Sequence, residues 1–393
     1  MIEAQEFVEA ARARGFSWYA GVPCTFLTPL INYVQQDPAL RYLSMANEGD
    51  AVALIAGVTL GGGAARRGVA MMQNSGLGNA VSPLTSLTWT FRLPQLLIIT
   101  WRGQPGITDE PQHALMGPIT PALLQLMEIP WEDFPASREG LAPALDRAVA
   151  HMARSGRPYA LVMPKGRVAA FALKGDAAPP RGRPSCTARL DSVRTVTTAL
   201  PSRTDALREV LAMAGRSDTV VLASTGFCGR ELYALEDRPN HFYMVGSMGC
   251  VTALALGLAL SRPDLRVLAL DGDGAALMRM GTLATVGAYA PANLWHLLLD
   301  NAAHDSTGAQ ATVSPCISFA GIAAACGYAS AEQAADTARL TAWLLAEAAP
   351  GPRFMCLRTR TGAPQDLPRP KLAPAEVRER LMRHIGTGAG VAA

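Results

Sequence analysis

The stretch DGDGAALMRMGTLATVGAYAPANLWHLLLDNAAHDS, residues 271–306, decides the fold of this 393-residue chain. It opens on a Gly-Asp-Gly turn directly after the apolar run VLAL at 267–270, and it reaches Asp300 and Asn301 directly after a second run, LWHLLL at 294–299. Short apolar runs of this kind read as buried strands, and the segment between them is long enough for a helix. The unit is therefore βαβ, with two parallel strands whose ends lie side by side. Glycines at 272 and 274 let the backbone approach an anion, and a helix starting near Ala275 directs free N–H groups at it. Asp273 and Asn301 then offer hard oxygen ligands to a divalent cation beside that anion. A diphosphate bridged by Mg²⁺ fits this arrangement.

Working outward, the chain is long enough for two ordinary domains, each with its own core. Its net charge is +3, and no basic run is interleaved with aromatics, which argues against a nucleic-acid partner. No apolar stretch reaches membrane-spanning length, and the acidic start MIEAQEFVEA does not read as a signal peptide. The seven cysteines are scattered without paired spacing, which predicts reduced thiols and a cytoplasmic protein.

In the first half the pattern predicts a helix over 2–14, a strand over 16–20, a helix over 27–34 and a strand over 41–45. Ala46-Asn47-Glu48-Gly49-Asp50 leads into an apolar helix over 51–60. Glu48 thus lies where a strand ends and a helix begins, the usual place for functional groups in a parallel sheet. It could also serve only as a first-turn carboxylate favoured by the helix dipole. A strand over 68–72 precedes the polar, glycine-rich loop 73–79, which contains Asn74. The strand over 95–101 feeds a long charged loop, with Arg102 at its start and His113 at its end. Such a loop is either solvated or lines a site. A helix over 140–154 and a strand over 158–163 complete a doubly wound domain.

Residues 174–192 concentrate Pro, Gly and Arg and read as an interdomain linker. The second half repeats the grammar: helix 203–214, strand 219–223, the small-residue turn Ser224-Thr225-Gly226, strand 241–245, the loop Gly246-Ser247-Met248-Gly249 and an apolar helix over 251–260. Thr225 and Gly226 suit phosphate contacts through hydroxyl and backbone N–H groups. After the opening stretch come a loop over 304–315, helices over 319–326 and 333–348, a strand over 354–358, and a tail with one short basic helix. No repeat is detectable residue by residue, though the two halves are expected to share a fold type.

The segments GVPCTFLTPL, ANEGDAVALIAG, QNSGLGNAVSPLTSL and WRGQPG…DEPQH, taken with the Gly-Asp-Gly…Asn signature, resemble the phosphonopyruvate and sulfopyruvate decarboxylases, a thiamine diphosphate-dependent group. The resemblance covers roughly residues 1 to 360. It implies an α/β protein of two doubly wound parallel-sheet domains: a pyrimidine-binding domain at 1–173, the linker, a diphosphate- and Mg²⁺-binding domain at 193–365, and a tail at 366–393. It further implies that Glu48 hydrogen-bonds N1′ of the cofactor's aminopyrimidine, and that Met248 supports the bent cofactor. The Gly246 carbonyl would meet the 4′-amino group, Asn74 would belong to the cofactor contacts, and Asp273, Asn301 and the Ala303 carbonyl would be the metal ligands. The sequence departs from the family pattern at Cys24, Asp50 and Asp300.

The implied chemistry is non-oxidative decarboxylation of 3-phosphonopyruvate to phosphonoacetaldehyde and CO₂, through a cofactor ylide and enamine, within phosphonate biosynthesis. Candidates for recognising the doubly anionic substrate are Arg102, His113, His304, Ser306 and Arg279, with the two histidines weighted above the arginines and also candidates for proton transfer. Rival readings are a sulfopyruvate decarboxylase, which the fused chain disfavours because relatives of that kind often divide the two domains between chains, and a non-catalytic thiamine diphosphate-binding scaffold. An NAD dehydrogenase is disfavoured because no GxGxxG follows the first strand. The resemblance also implies a homodimer or larger homo-oligomer, with active sites between subunits.

Overall fold

The computed structural model describes residues 1–63, 66–175, 186–189, 199–215, 218–347 and 350–388. The chain divides into two compact units, Met1–Ala178 and Pro179–Ala393. Among the described residues of the first, a six-stranded sheet is built from β1 (Phe16–Gly21), β2 (Arg41–Ser44), β3 (Arg67–Gln73), β4 (Leu96–Thr100), β5 (Trp131–Asp133) and β6 (Tyr159–Met163). The order is β2-β1-β3-β4-β6-β5, and every pairing is parallel.

The second unit carries β7 (Thr187–Arg189), β8 (Thr219–Ala223), β9 (His241–Tyr243), β10 (Arg266–Gly272), β11 (Leu294–Asp300), the short pair β12 (Ala303–His304) and β13 (Gln310–Ala311), β14 (Ser330–Ala334) and β15 (Arg353–Arg358). Its main sheet runs β7-β14-β15-β11-β10-β8-β9, again parallel throughout. Apart from the edge strand β7, this is the strand order of the first unit. Each sheet therefore has the same switch point: between β1 and β3 in one, between β8 and β10 in the other. Connections leave in opposite directions there, opening a crevice beyond the carboxyl ends of the strands, where such sheets bind ligands.

Burial explains the strands. Every residue of β4, β8 and β11 is buried, as expected of parallel strands covered on both faces. Two helices, Glu48–Gly62 and Val251–Ser261, are apolar nearly all round and almost wholly buried; the first follows β2 and the second follows β9. Asn47 caps the first of them, accepting the Gly49 N–H at 2.8 Å, and so sets Glu48 as its first residue.

Several boundaries differ from the sequence expectation. The helix expected over 333–348 is the strand β14 followed by a helix at Thr337–Leu345. The Asp336 carboxylate caps Arg339 N–H at 2.8 Å and fixes that later start, while residues 330–334 are claimed by pairing with β15 and β7. The single helix expected after Gly274 is two, Asp273–Met278 and Gly281–Tyr289, broken where Arg279 leaves helical geometry. The helix Met116–Leu126 and strand β5 had no sequence expectation. Within the stretch read as a linker, Thr187–Arg189 forms β7, while 176–185 and 190–192 lie outside the described residues. No helix among the described residues is long and apolar enough to cross a membrane.

Candidate active site

In the second unit, β10 pairs with β11 so that Gly272 stands beside Leu299, which brings Asp273 and Asn301 to neighbouring strand ends. Asp273 is 3% exposed and accepts a hydrogen bond from the Thr312 hydroxyl. Burial, followed by the nearby Asp300 charge, raises its carboxyl above the ordinary range. Asn301 donates its amide Nδ2 to Asp305 Oδ2 at 2.6 Å and accepts the Ala303 N–H on Oδ1 at 3.2 Å. The same Asp305 oxygen accepts Arg203 Nη2 at 2.7 Å and Gly362 N–H at 3.1 Å. Arg203 also pairs with the buried Glu231, which holds the Thr204 hydroxyl at 2.8 Å. Arg203 was not singled out from the sequence, and Asp305 was read only as one residue of the loop over 304–315; no local motif marks either.

The carboxylate of Asp300, the residue at odds with the family pattern, has partners of its own. Its Oδ1 accepts Ser314 Oγ at 2.6 Å and Ala302 N–H at 3.0 Å, and Arg358 Nε lies 3.5 Å from Oδ2. Asp271 is also turned inward: it accepts the Thr252 hydroxyl at 3.2 Å, with His296 at 3.5 Å.

Across the switch point, β8 ends at the Ser224-Thr225-Gly226 turn. Gly226 has φ +91°, a conformation L side chains rarely adopt, and it starts the helix Phe227–Leu235. Ser306 approaches this turn: a Cβ placed on Gly226 would lie 3.5 Å from Ser306 Oγ. His304 lies against Gly274, and the stem of Arg279 crosses Gly249 in the 246–249 loop, where Met248 is half-buried. Ser306 thus stands at the Gly226 turn and His304 at Gly274, while Asp273 and Asn301 follow the neighbouring ends of β10 and β11.

These residues fit a cation-bridged diphosphate. A buried carboxyl with a second acid nearby is what a divalent cation stabilises, and one carboxylate with amide and carbonyl oxygens is a hard donor set. Among the described residues no cluster of three His, Cys, Asp or Glu side chains offers a rival metal site.

The first unit assembles a separate set at its own switch point. The Glu48 carboxylate accepts Asn79 Nδ2 at 2.8 Å, and its other oxygen lies where a Cβ on residue 76 would be, 2.1 Å away. Glycine at 76 is required for that close approach. Asn74, fully buried, donates to the Arg102 carbonyl at 2.8 Å and Thr120 Oγ1 at 3.0 Å and accepts the Arg102 N–H at 3.2 Å. The amide expected to touch the cofactor is thus spent on fixing the 102 loop.

Arg102 is itself clamped by Asp109, which accepts Nε at 2.8 Å, Nη2, and the Gly103 N–H at 2.9 Å. The guanidinium holds the Asp109 carboxyl well below the usual range. His113 is 3% exposed, and its Nδ1 has no hydrogen-bond partner among the described residues. Cys24 Sγ donates to Gln73 Oε1 at 3.3 Å and lies 3.7 Å from Thr100 Oγ1, at the ends of β3 and β4. Asp50 is buried within its helix.

Residues 225–358 match the family described as thiamine pyrophosphate enzyme, C-terminal TPP binding domain. A 4-hydroxybenzoylformate decarboxylase of Rhodococcus jostii RHA1, described as thiamine diphosphate-dependent, superposes with a TM-score of 0.69 over 92% of this chain and 100% of its own, at 14% identity. The matched cofactor-binding family and the relatives that follow define the class, that of thiamine diphosphate-dependent enzymes. A phosphonopyruvate decarboxylase of Streptomyces viridochromogenes is 45% identical over 98% of this chain and 96% of its own length. A sulfopyruvate decarboxylase of Methanosarcina acetivorans is 30% identical over 78% of each chain. The chain belongs to the phosphonopyruvate decarboxylase family. The Methanosarcina relative spans both halves in one chain, so fusion of the halves does not discriminate against the sulfonate reading, contrary to the expectation from sequence.

Proposed function

We propose that this protein decarboxylates 3-phosphonopyruvate to phosphonoacetaldehyde and CO₂, using thiamine diphosphate and Mg²⁺, in the biosynthesis of phosphonates, including phosphonate antibiotics. One observation carries the reading: 45% identity to a phosphonopyruvate decarboxylase over 98% of this chain and 96% of the relative's length, and it is supported by the neighbouring strand ends that precede Asp273 and Asn301. When bound, thiamine diphosphate supplies the electron sink for loss of CO₂ from a 2-oxo acid.

The protein's part is binding and proton control. Asp273, Asn301 and the Ala303 carbonyl hold the cation, while Thr225, Gly226 and the helix starting at Asp273 receive the diphosphate. Glu48 holds a proton at the pyrimidine N1′, and Gly246 and Met248 orient that ring. Asn79 and Gly76 support this role by fixing the Glu48 carboxylate.

Arg102, His113, His304 and Ser306 would receive the substrate's two anionic ends. The clamp of Asp109 on Arg102 supports a preorganised guanidinium, since a side chain already fixed loses less entropy on binding. The family resemblance supports a homodimer in which the pyrimidine half of one copy serves the diphosphate half of another. The seven free cysteines are compatible with a reducing cytoplasm.

The test is to supply purified protein with thiamine diphosphate and Mg²⁺ and to compare CO₂ release from phosphonopyruvate, sulfopyruvate and pyruvate. Phosphonopyruvate should have the highest kcat/KM. A higher value for sulfopyruvate would transfer the assignment to the sulfonate.

A further inference from the structure

We propose that Arg369, on the C-terminal segment, supplies a cationic contact to a phosphate or phosphonate oxyanion beside Thr225, Gly226 and Ser306. These four residues line one cavity of about 360 Å³, which Tyr243 and Val377 close on its apolar side. No carboxylate lines it, whereas two arginines, 230 and 369, do. The rest of the lining is mainly apolar, so the Arg369 guanidinium, the Thr225 and Ser306 hydroxyls and the glycine turn form its polar edge, which suits an anion.

The two arginines have different tasks. Arg230 donates Nη2 to the Leu367 carbonyl and Nε to the Pro368 carbonyl at 3.3 Å, pinning the segment in place. Lys371 N–H donates to the Tyr233 hydroxyl at 3.3 Å on the other side of Arg369. The segment continues into the helix Pro374–His384, which buries Val377 and Leu381 and is tied by Arg380 to Asp237 at 2.7 Å. Arg369 lies between two prolines, each fixing its own φ, with Pro370 also restricting Arg369 to extended backbone. Nearby cations are engaged: Arg230 on carbonyls, Arg378 on Glu379 and Arg380 on Asp237. Arg369 has no such partner among the described residues, and its side chain is exposed at the cavity wall.

The inference rests on the proposed reading that this crevice holds a diphosphate. The oxyanion could come from the cofactor or from the substrate's phosphonate, and calorimetry separates the two. Thiamine diphosphate and unphosphorylated thiamine are titrated into the Mg²⁺-loaded full-length protein, and phosphonoacetate into the protein loaded with thiamine diphosphate. A cofactor contact makes Arg369→Gln weaken thiamine diphosphate binding about tenfold or more while thiamine is unchanged. A substrate contact makes it weaken phosphonoacetate binding similarly while thiamine diphosphate is unchanged. Arg369→Lys should recover part of either loss, and Arg383→Gln, exposed on the following helix, should lose nothing. Unchanged affinity for both ligands in Arg369→Gln overturns the proposal. Failure of the wild-type protein to bind thiamine diphosphate removes the proposed function itself, and this inference with it.

Discussion

Asp305 Oδ2 receives Asn301 Nδ2 at 2.6 Å and so decides which way the Asn301 amide faces. With its nitrogen committed to Asp305, the amide turns its oxygen toward the Ala303 N–H. Arg203 and the Gly362 N–H hold the same carboxylate oxygen, so the orientation is backed by groups far away in sequence. Residues that orient metal ligands in this way typically contribute 10–100-fold to affinity. Asp305→Ala should therefore raise the Mn²⁺ or Mg²⁺ concentration needed for half-maximal binding by about that factor, measured by calorimetry or by the Mn²⁺ spin-resonance signal. Wild-type cation affinity in the variant would show that Asn301 needs no such support.

Glu48→Gln keeps the shape of the side chain and removes its proton chemistry. Turnover should fall by about 100-fold or more, within the usual range for a positioned acid or base. Thermal unfolding and thiamine diphosphate affinity should stay near wild type, because the site carboxylate is not a core contact. Retention of full kcat would remove Glu48 from the proposed relay.

Asn74 makes three hydrogen bonds at zero exposure, two of them to the backbone of Arg102. Asn74→Ala leaves those part-buried backbone groups without this partner, which costs about 1–3 kcal/mol. The urea midpoint should fall without a change of slope, reporting lost stability of this unit. A midpoint like that of the wild type would mean that water replaces the amide.

His241 predicts an acid limb in stability. The imidazole is fully buried, with Nδ1 3.1 Å from the Tyr243 hydroxyl and Nε2 without a partner among the described residues. Burial first, and then the positive charge of Arg238, push its pKa down to about 4; Asp237 and Glu236 oppose this, and Arg380 adds to it. Between an unfolded value of about 6.5 and the folded value of about 4, the unfolded chain binds a proton that the folded chain refuses. This contribution is complete above the upper value and is lost as pH falls to the lower one, about 3 kcal/mol in all. Wild-type stability should therefore drop more steeply than that of His241→Gln between pH 6.5 and 4. Parallel curves in urea titrations at matched pH would exclude His241 as the cause.

The repeated strand order shows how much of this was legible beforehand. Buried apolar runs at 267–270 and 294–299, with Gly-Asp-Gly and Asn301 at their ends, fixed the βαβ unit and the crevice, because parallel strands covered on both faces must be continuously apolar. Glu48 was legible for a similar local reason: it follows a strand and opens a helix. The strand β14 was missed because its five residues lack the apolar run of its neighbours and are held by pairing on both sides.

The sequence by itself determined the class of cofactor, the two α/β halves and the strand ends at which chemistry is placed. Those depend on contiguous runs and on turns, which local residue order encodes. Only the tertiary structure decided the directions of the side chains. Asp300 faces Ser314 and Arg358, Asn301 is turned by Asp305, Asp305 is held by Arg203, and Arg369 returns to the Thr225 turn. Each of these relationships joins groups through the packing of separate elements, and hydrogen-bond direction follows from where that packing leaves a donor and an acceptor, which no motif spacing specifies.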